Sequence, residues 1–205
     1  MNNKKGLLII VSGPSGVGKG TVLKQYLAEQ GDNAFYSISA TTRSPRPGEE
    51  NGVHYHFITR DEFKKLIESD GVLEFAEYSG NFYGTPKAPV ESALNEGKNV
   101  ILEIEVQGAK KVMEKVPEAV SVFVMPPSMA ELKKRLVDRN TEDAETVARR
   151  LAAAVGEMKQ AHTYDYIVVN DTVESALNQL KTVISAAKVT GEKQKDFINE
   201  VILNA

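Results

Sequence analysis

The segment Leu7-Leu-Ile-Ile-Val-Ser-Gly-Pro-Ser-Gly-Val-Gly-Lys-Gly-Thr21 sets an apolar run, a glycine loop and a helix start in direct succession. Leu7 to Val11 reads as a buried central strand, because five apolar residues in a row leave no polar face. Pro14 cannot continue a central strand, and Gly13, Gly16 and Gly18 allow a tight turn with N–H groups facing inward. From Lys19 onward, Val22, Leu23, Tyr26 and Leu27 recur at helical spacing. A glycine loop between a buried strand and a helix N-terminus is an anion cradle, since unpaired N–H groups and the helix dipole both favour phosphate. The spacing Gly13-x-x-x-x-Gly18-Lys19 fits the phosphate-binding P-loop. One position departs from that pattern. Gly20 stands where a hydroxyl residue usually helps hold magnesium, and Thr21 follows one place later.

Outward from this segment, 205 residues suffice for a real core, and the default is one domain with sub-domains. The composition is 41% hydrophobic and 26% charged, ordinary for a soluble globular protein. A net charge of −3 argues against nucleic-acid or membrane binding. The absence of cysteine excludes disulfides, thiolate metal sites and cysteine nucleophiles, which suits a cytoplasmic location. The apolar run after Lys4 and Lys5 is too short for a signal peptide and leads into the glycine loop. Monomer and homo-oligomer both remain open.

Along the chain, Phe35–Ser39 reads as a short strand and Thr41–Gly52, with two prolines and two glycines, as a loop bearing Arg43 and Arg46. Val53–Phe57 alternates like a strand, with His54 and His56 on one face. Thr59 and Glu62 form a capping box for a helix reaching Glu68. Val72–Tyr78 and Asn81–Tyr83 suit a hairpin around Ser79-Gly80, followed by a helix from Pro86 to Glu96. Asn99–Ile104, Ala119–Val124 and Tyr166–Val169 are further buried strands. Helices are expected near Gly108–Val116, from Ser128 with Glu131 as cap, over Glu142–His162, and from Asn170-Asp171 onward. Asn140-Thr141 separates the middle pair. Short apolar strands alternating with helices predict an α/β fold of P-loop type, a parallel sheet flanked by helices. A small α+β insertion interrupts it between Ser37 and Lys87.

Charged residues gather around this frame. Arg43 and Arg46 lie on a Pro/Gly loop, where guanidinium forks can grip a second phosphate. Arg135 and Arg139 share a helix face, and Arg150 lies on the next helix. Beside a phosphate loop, such arginines supply the positive charge that phosphoryl transfer requires. Glu103 and Glu105 end a buried strand, where ligand sites of α/β folds collect. Thr21 and Glu103 are the candidate magnesium groups, directly or through water. Glu74, between Leu73 and Phe75, has an apolar setting unlike that of a surface charge.

These residues together resemble the guanylate kinases, nucleoside monophosphate kinases that phosphorylate GMP. The resemblance spans nearly the whole chain. It rests on Gly13-Pro-Ser-Gly-Val-Gly-Lys19, Ser39-Ala-Thr-Thr-Arg-Ser-Pro-Arg46, Gly80-Asn-Phe-Tyr-Gly-Thr85, Glu103-Ile-Glu-Val-Gln-Gly108 and Val169-Asn-Asp171. It implies an ATP-holding core (about 1–36, 88–127 and 163–205), a GMP-binding insertion (about 37–87) and a helical lid (about 128–162). It further implies ATP and GMP as substrates and Mg2+ as the cofactor carried with ATP.

Carried over position by position, the resemblance assigns ATP to Gly13, Pro14, Ser15, Gly16, Val17, Gly18, Lys19, Gly20 and Thr21, with Arg135, Arg139 and Asn170. Asn170 would lie against the adenine. Arg43, Arg46, Tyr55 and Tyr83 would grip the GMP phosphate, while Ser39, Glu74, Thr85 and Glu105 would read the guanine. Lys19, Arg43, Arg135, Arg139 and Arg150 would carry the catalysis. Gly20, Asp138-Arg-Asn140, Glu103 and Glu105 depart from residues common in that family. An intact Lys19 and three lid arginines separate this chain from guanylate-kinase-like modules of scaffold proteins, which bind phosphopeptides. The competing reading as another nucleotide kinase, such as an adenylate kinase, is one that base specificity would discriminate.

Overall fold

A computed structural model describes residues 5–78, 80–138 and 143–203. In chain order the elements are β1 (Leu8–Ser12), α1 (Lys19–Gln30), β2 (Ala34–Tyr36), β3 (Ala40–Thr41), β4 (His56–Phe57), α2 (Arg60–Glu68), β5 (Val72–Tyr78), β6 (Asn81–Pro86) and α3 (Lys87–Asn95). They continue with β7 (Asn99–Glu103), α4 (Val106–Lys115), β8 (Val120–Met125), α5 (Met129–Val137), α6 (Ala144–Met158), β9 (Tyr166–Val169), α7 (Val173–Lys188) and α8 (Lys195–Leu203).

Every residue of β1 is buried, and the strand sits in the middle of a parallel sheet ordered β2-β7-β1-β8-β9. Successive side chains leave a strand on opposite faces, so β1 feeds two cores. Ile9 and Val11 pack with Val22, Leu23 and Tyr26 of α1 and Leu177, Leu180 and Ile184 of α7. Leu8 and Ile10 pack with Val90 of α3, Val106 and Val112 of α4, and Phe123. β1 pairs in parallel with β7 on one side and β8 on the other, and ligand sites of such sheets lie beyond the carboxyl ends of the central strands. Among the described residues, no helix is long and apolar enough to cross a membrane.

The interruption in the α/β pattern is a second sheet, ordered β4-β3-β6-β5. Its β5–β6 hairpin turns at Gly80, whose φ of 74° suits glycine; Ser79 lies outside the described residues. Phe63 of α2 stacks on Phe82 at a centroid distance of 5.3 Å and meets Phe75 edge-on, giving this sheet a small core of its own. The expected capping box is present: Thr59 Oγ1 accepts from the Glu62 N–H, and Glu62 accepts from the Thr59 N–H at 2.7 Å.

Several boundaries differ from the sequence-based expectation. Only His56 and Phe57 of the stretch from Val53 pair as a strand, because the preceding residues form a turn on the Glu50 carbonyl. His54 lies in that turn, its Nδ1 accepting from the Glu50 N–H, so the two histidines share no strand face. The long helix ends at Met158, and His162 falls in a separate 3₁₀ turn with Nδ1 2.8 Å from the Lys159 carbonyl. At α5, Ser128 caps as expected, but Glu131 turns to Arg135 rather than back to the cap. β9 is an edge strand with Ile167 and Val169 partly exposed, not a buried one. Thr172, not Asn170, caps α7, and the additional helix α8 follows. The break at Asn140-Thr141 and the start at Glu142 lie outside the described residues.

Candidate active site

The carboxyl end of β1 runs straight into the glycine loop. Gly13 has φ 142°, and a Cβ there would lie 2.4 Å from the Val124 carbonyl oxygen; Gly18 has φ 94°, and its Cβ would lie 2.5 Å from Asn170 Nδ2. Neither position admits a side chain, so the loop presses against the ends of β8 and β9. No side chain caps α1, which leaves its first-turn N–H groups for an anion. Lys19 Nζ donates to the carbonyls of Gly13 at 2.6 Å and Pro14 at 3.2 Å. Burial lowers the basicity of its ammonium, and Glu103, Glu157 and Glu105 act against that effect.

Both helices of the 128–162 segment reach this loop. Arg150 of α6 donates through Nη2 to Ser15 Oγ at 2.6 Å. Arg135 of α5 donates to the carbonyls of Asn170 at 2.9 Å, Asp171 at 3.2 Å and Val17 at 3.3 Å, while Nε bonds Glu131 at 2.9 Å. Asn170 is 3% exposed; its Nδ2 donates to the Val17 carbonyl at 2.7 Å, and its Oδ1 is buried without a partner. Asn170 is thus first a clasp that fixes the loop to the end of β9.

A cavity of about 270 Å³ separates the second sheet from the turn between β7 and α4. Arg43, Arg46, Tyr55 and Tyr83 line it together with Ser39, Glu74, Glu103 and Glu105. The Arg43 guanidinium lies 5.5 Å from the Tyr55 ring centroid and forms a bidentate pair with Glu49, both bonds 2.9 Å. Glu49 also accepts the Arg46 N–H at 2.7 Å. The Arg43 guanidinium, helped by that N–H, holds the Glu49 carboxyl down to about 2.

Deeper in the cavity wall, Glu74 is 6% exposed. Its Oε1 accepts from Thr85 Oγ1 at 2.9 Å, and its Oε2 would lie 2.9 Å from a Cβ on Gly108. Burial pushes this carboxyl above the usual carboxylate range, against the pull of the Thr85 hydroxyl and Lys111. Glu105 occupies the N-cap of α4 without using its side chain as the cap, so its carboxylate stays available to the cavity. Glu103 accepts a hydrogen bond from Tyr36 Oη at 3.0 Å. Burial, reinforced by Glu103, raises the Tyr36 phenol well above its ordinary value.

The guanylate kinase family model matches residues 5–187. The chain belongs to the guanylate kinase family. A guanylate kinase of Clostridium perfringens (strain SM101) is 50% identical over 198 residues, covering 97% of this chain and 91% of its own. One from Thermus thermophilus is 50% identical over 188 residues, covering 92% of this chain and 83% of its own. The crystal structure of guanylate kinase from Anaplasma phagocytophilum superposes with a TM-score of 0.74 at 35% identity, covering 92% of this chain and 89% of that one.

Set against the residues expected of a guanylate kinase, the structure brings Ser39, Arg43, Arg46, Tyr55, Glu74, Tyr83 and Glu105 to one cavity, with Thr85 hydrogen-bonded to Glu74. Lys19, Arg150, Arg135 and Asn170 converge on the glycine loop. Arg139 lies outside the described residues. Thr21 is exposed on the first turn of α1. Three acidic or phenolic groups escaped the sequence reading: Glu49, Tyr36 and Glu157, whose carboxylate acts on Lys19 from α6. The one proton of the Thr85 hydroxyl goes to Glu74. A larger groove of about 920 Å³ lies at the opposite ends of the strands, between Leu7, Leu8 and the segment from Val189 to Asp196. Its lysines and carboxylates are mixed, and it lacks the glycine loop.

Proposed function

We propose that this chain transfers the γ-phosphoryl group of ATP to the phosphate of GMP, giving ADP and GDP. The observation that supports it most directly is a buried carboxylate, Glu74, in the same cavity as Arg43 and Arg46. Guanine presents two donors, N1–H and an amino group, on its recognition edge, and an ionised carboxylate only accepts. In this reading Glu74 and Glu105 take the guanine, with Ser39 and Thr85 beside them. Arg43, Arg46, Tyr55 and Tyr83 take the GMP phosphate. The glycine loop from Gly13 to Thr21 takes the ATP phosphates, and Asn170 with Arg135 flanks the adenine.

The sub-domain roles follow: residues 37–87 hold the acceptor, 128–162 form a lid, and the remainder is the ATP-binding core. A GMP phosphate oxygen attacks the γ-phosphorus in line, and the bond to the β–γ bridging oxygen of ATP breaks, with no covalent enzyme intermediate. Lys19, Arg43, Arg150 and the lid arginines Arg135 and Arg139 offset charge on the moving group. Closure of the lid excludes water, which would otherwise accept the phosphoryl group.

Mg2+ carried by ATP fits the donors present. Among the described residues no three acidic or histidine side chains converge into an all-protein cage, but the Glu103 carboxylate lies 3.8 Å and 4.0 Å from the position of a Cβ on residue 20. A carboxylate beside substrate phosphates is the usual setting for this ion. Glu103, with Thr21 one place after Gly20, would hold it directly or through water, and the ion would neutralise charge on the ATP phosphates. A cytoplasmic location suits the cysteine-free composition.

The test is a coupled ADP-release assay with ATP and Mg2+ across GMP, AMP, CMP and UMP. Turnover confined to GMP is expected. Phosphopeptide binding without GDP formation would overturn the reading.

A further inference from the structure

We propose that Tyr36 is a positioning residue for the ATP-borne magnesium, fixing Glu103 over Gly20 so that this carboxylate replaces the hydroxyl the phosphate loop lacks. The proposal rests on the kinase reading above and deepens it. In P-loops the residue after the lysine is normally Ser or Thr, whose hydroxyl meets Mg2+. Here it is Gly20, and, among the described residues beyond its chain neighbours and its own helix backbone, a Cβ built on it would find two atoms within 4 Å, Oε2 and Oε1 of Glu103. The place left open by the missing hydroxymethyl group is therefore faced by a carboxylate.

Strand register explains how Glu103 gets there. It pairs with Val11 at the end of β1, directly before the glycine loop. Tyr36, the last residue of β2, pairs with Ile101. Ile101 and Glu103 are two apart on β7 and share a face, so the phenol on the neighbouring strand reaches the carboxylate. Tyr36 Oη donates to Glu103 Oε2 at 3.0 Å. Among the described residues, no side chain hydrogen-bonds the other oxygen, Oε1. Lys19, although near, donates to the Gly13 and Pro14 carbonyls instead. A glutamate has three rotatable bonds, and one fixed oxygen removes most of that freedom while leaving its partner to face a cation or its water shell. Partners that orient a metal-binding carboxylate commonly change metal affinity 10- to 100-fold when removed.

The experiment measures ADP binding by titration calorimetry with and without Mg2+ for wild type, Tyr36→Phe, Gly20→Ser and the double variant. Tyr36→Phe should reduce the tightening of ADP by Mg2+ about tenfold, with Mg2+-free affinity and thermal unfolding unchanged. Gly20→Ser supplies a hydroxyl and should restore the Mg2+ response in the double variant. A merely structural role for Tyr36 would move the Mg2+-free affinity or the melting temperature and would not be rescued by Gly20→Ser. An undiminished Mg2+ response in Tyr36→Phe overturns the proposal. Should Tyr36→Phe not fold, Glu103→Gln serves: its loss of Mg2+ response must shrink in a Gly20→Ser background, and an equal loss in both overturns the exchange of roles. Failure of the kinase reading shows separately, as wild type that binds ADP with Mg2+ but forms no GDP.

Discussion

Replacing Glu74 by Gln should weaken GMP and strengthen the empty protein at the same time. Of the two carboxylate oxygens, Oε1 is taken by the Thr85 hydroxyl, and Oε2 faces Gly108, so one acceptor remains for a guanine donor. Glutamine can keep Oε1 toward Thr85, which sets its NH2 against a guanine N–H, donor against donor. Alternatively it flips, offering an oxygen to guanine and turning Thr85 from donor into acceptor. Both arrangements lose a charge-assisted hydrogen bond worth about 1.5–3 kcal/mol. At 1.36 kcal/mol per decade this lowers kcat/KM for GMP by roughly 10- to 150-fold, with the flipped amide at the lower end. KM for ATP should stay in place, and the ratio of GMP to AMP turnover should narrow.

Stability moves the other way. Burial raises the Glu74 carboxyl above its unfolded value of 4.5, so the folded state holds its proton more tightly than the unfolded chain. A raised folded value contributes stability below the unfolded value and loses it as pH rises through the folded one. Wild type therefore loses that contribution progressively as pH rises above 4.5, and glutamine has no charge to desolvate. The variant should therefore melt higher at pH 7, by about 2–4 °C per kcal/mol relieved, and its advantage should vanish as pH falls below 4.5. Coupled assays with GMP and AMP, and melting curves at pH 7 and pH 4, read both effects. An unmoved GMP-to-AMP ratio refutes the base-reading role, and a lower melting temperature at pH 7 refutes the desolvation argument.

Gly108→Ala should act on the same carboxylate from the other side. Its Cβ would stand 2.9 Å from Glu74 Oε2, so KM for GMP should rise about tenfold, while the helix gains about 0.5–1 kcal/mol over glycine; an unchanged KM in a folded variant counts against it. Lys19→Ala removes an ammonium that, among the described residues, is hydrogen-bonded to the loop carbonyls of Gly13 and Pro14, so the protein should fold, and turnover should fall roughly 10²–10³-fold in single-turnover assays. Glu49→Gln should raise KM for GMP by slackening Arg43 and Arg46, with KM for ATP unaltered. Since the Glu49 carboxyl is held at about 2, this contact is present above 4.5 and lost only as pH falls toward 2, so it should add no acid limb to KM between pH 5 and pH 8.

The readable features were local. The glycine loop and the Thr59–Glu62 capping box are set by neighbours within a few residues, and both form as their spacing predicts. Buried strands announced themselves as apolar runs where both faces are covered, as in β1 and β7. β9 looks identical in composition yet lies at an edge, because burial depends on a neighbour that the run does not encode. Pairings across long separations left no pattern: Tyr36 and Glu103 are 67 positions apart, and register alone joins them. The position of Glu49 in an irregular loop, six residues from Arg43, likewise carries no period. The resemblance assigns Thr85 to the guanine group, but the direction of its one proton, toward the buried Glu74, leaves no mark in the sequence.

Charge placement in the substrate-free molecule bears on how the proposed transfer avoids water. The loop lysine rests on two neutral carbonyls. Phosphate oxygens that displace these carbonyls give Lys19 ionic hydrogen bonds in their place, so the lysine can turn to ATP without leaving a hydrogen-bonded carboxylate. Arg43 differs, because a carboxylate already grips both of its terminal nitrogens. That pair is close to neutral from a distance, and Arg46 stands in a cavity that Glu74, Glu103 and Glu105 also line. With ATP alone, the acceptor end therefore offers little field to gather or orient a nucleophilic water near the γ-phosphorus. In the proposed reading, a GMP phosphate would bring its own negative charge to Arg46 and the tyrosine hydroxyls, and its guanine would fill the space beside Glu74. The acceptor end is then completed by the substrate itself, which ties reactivity to occupancy by the right base.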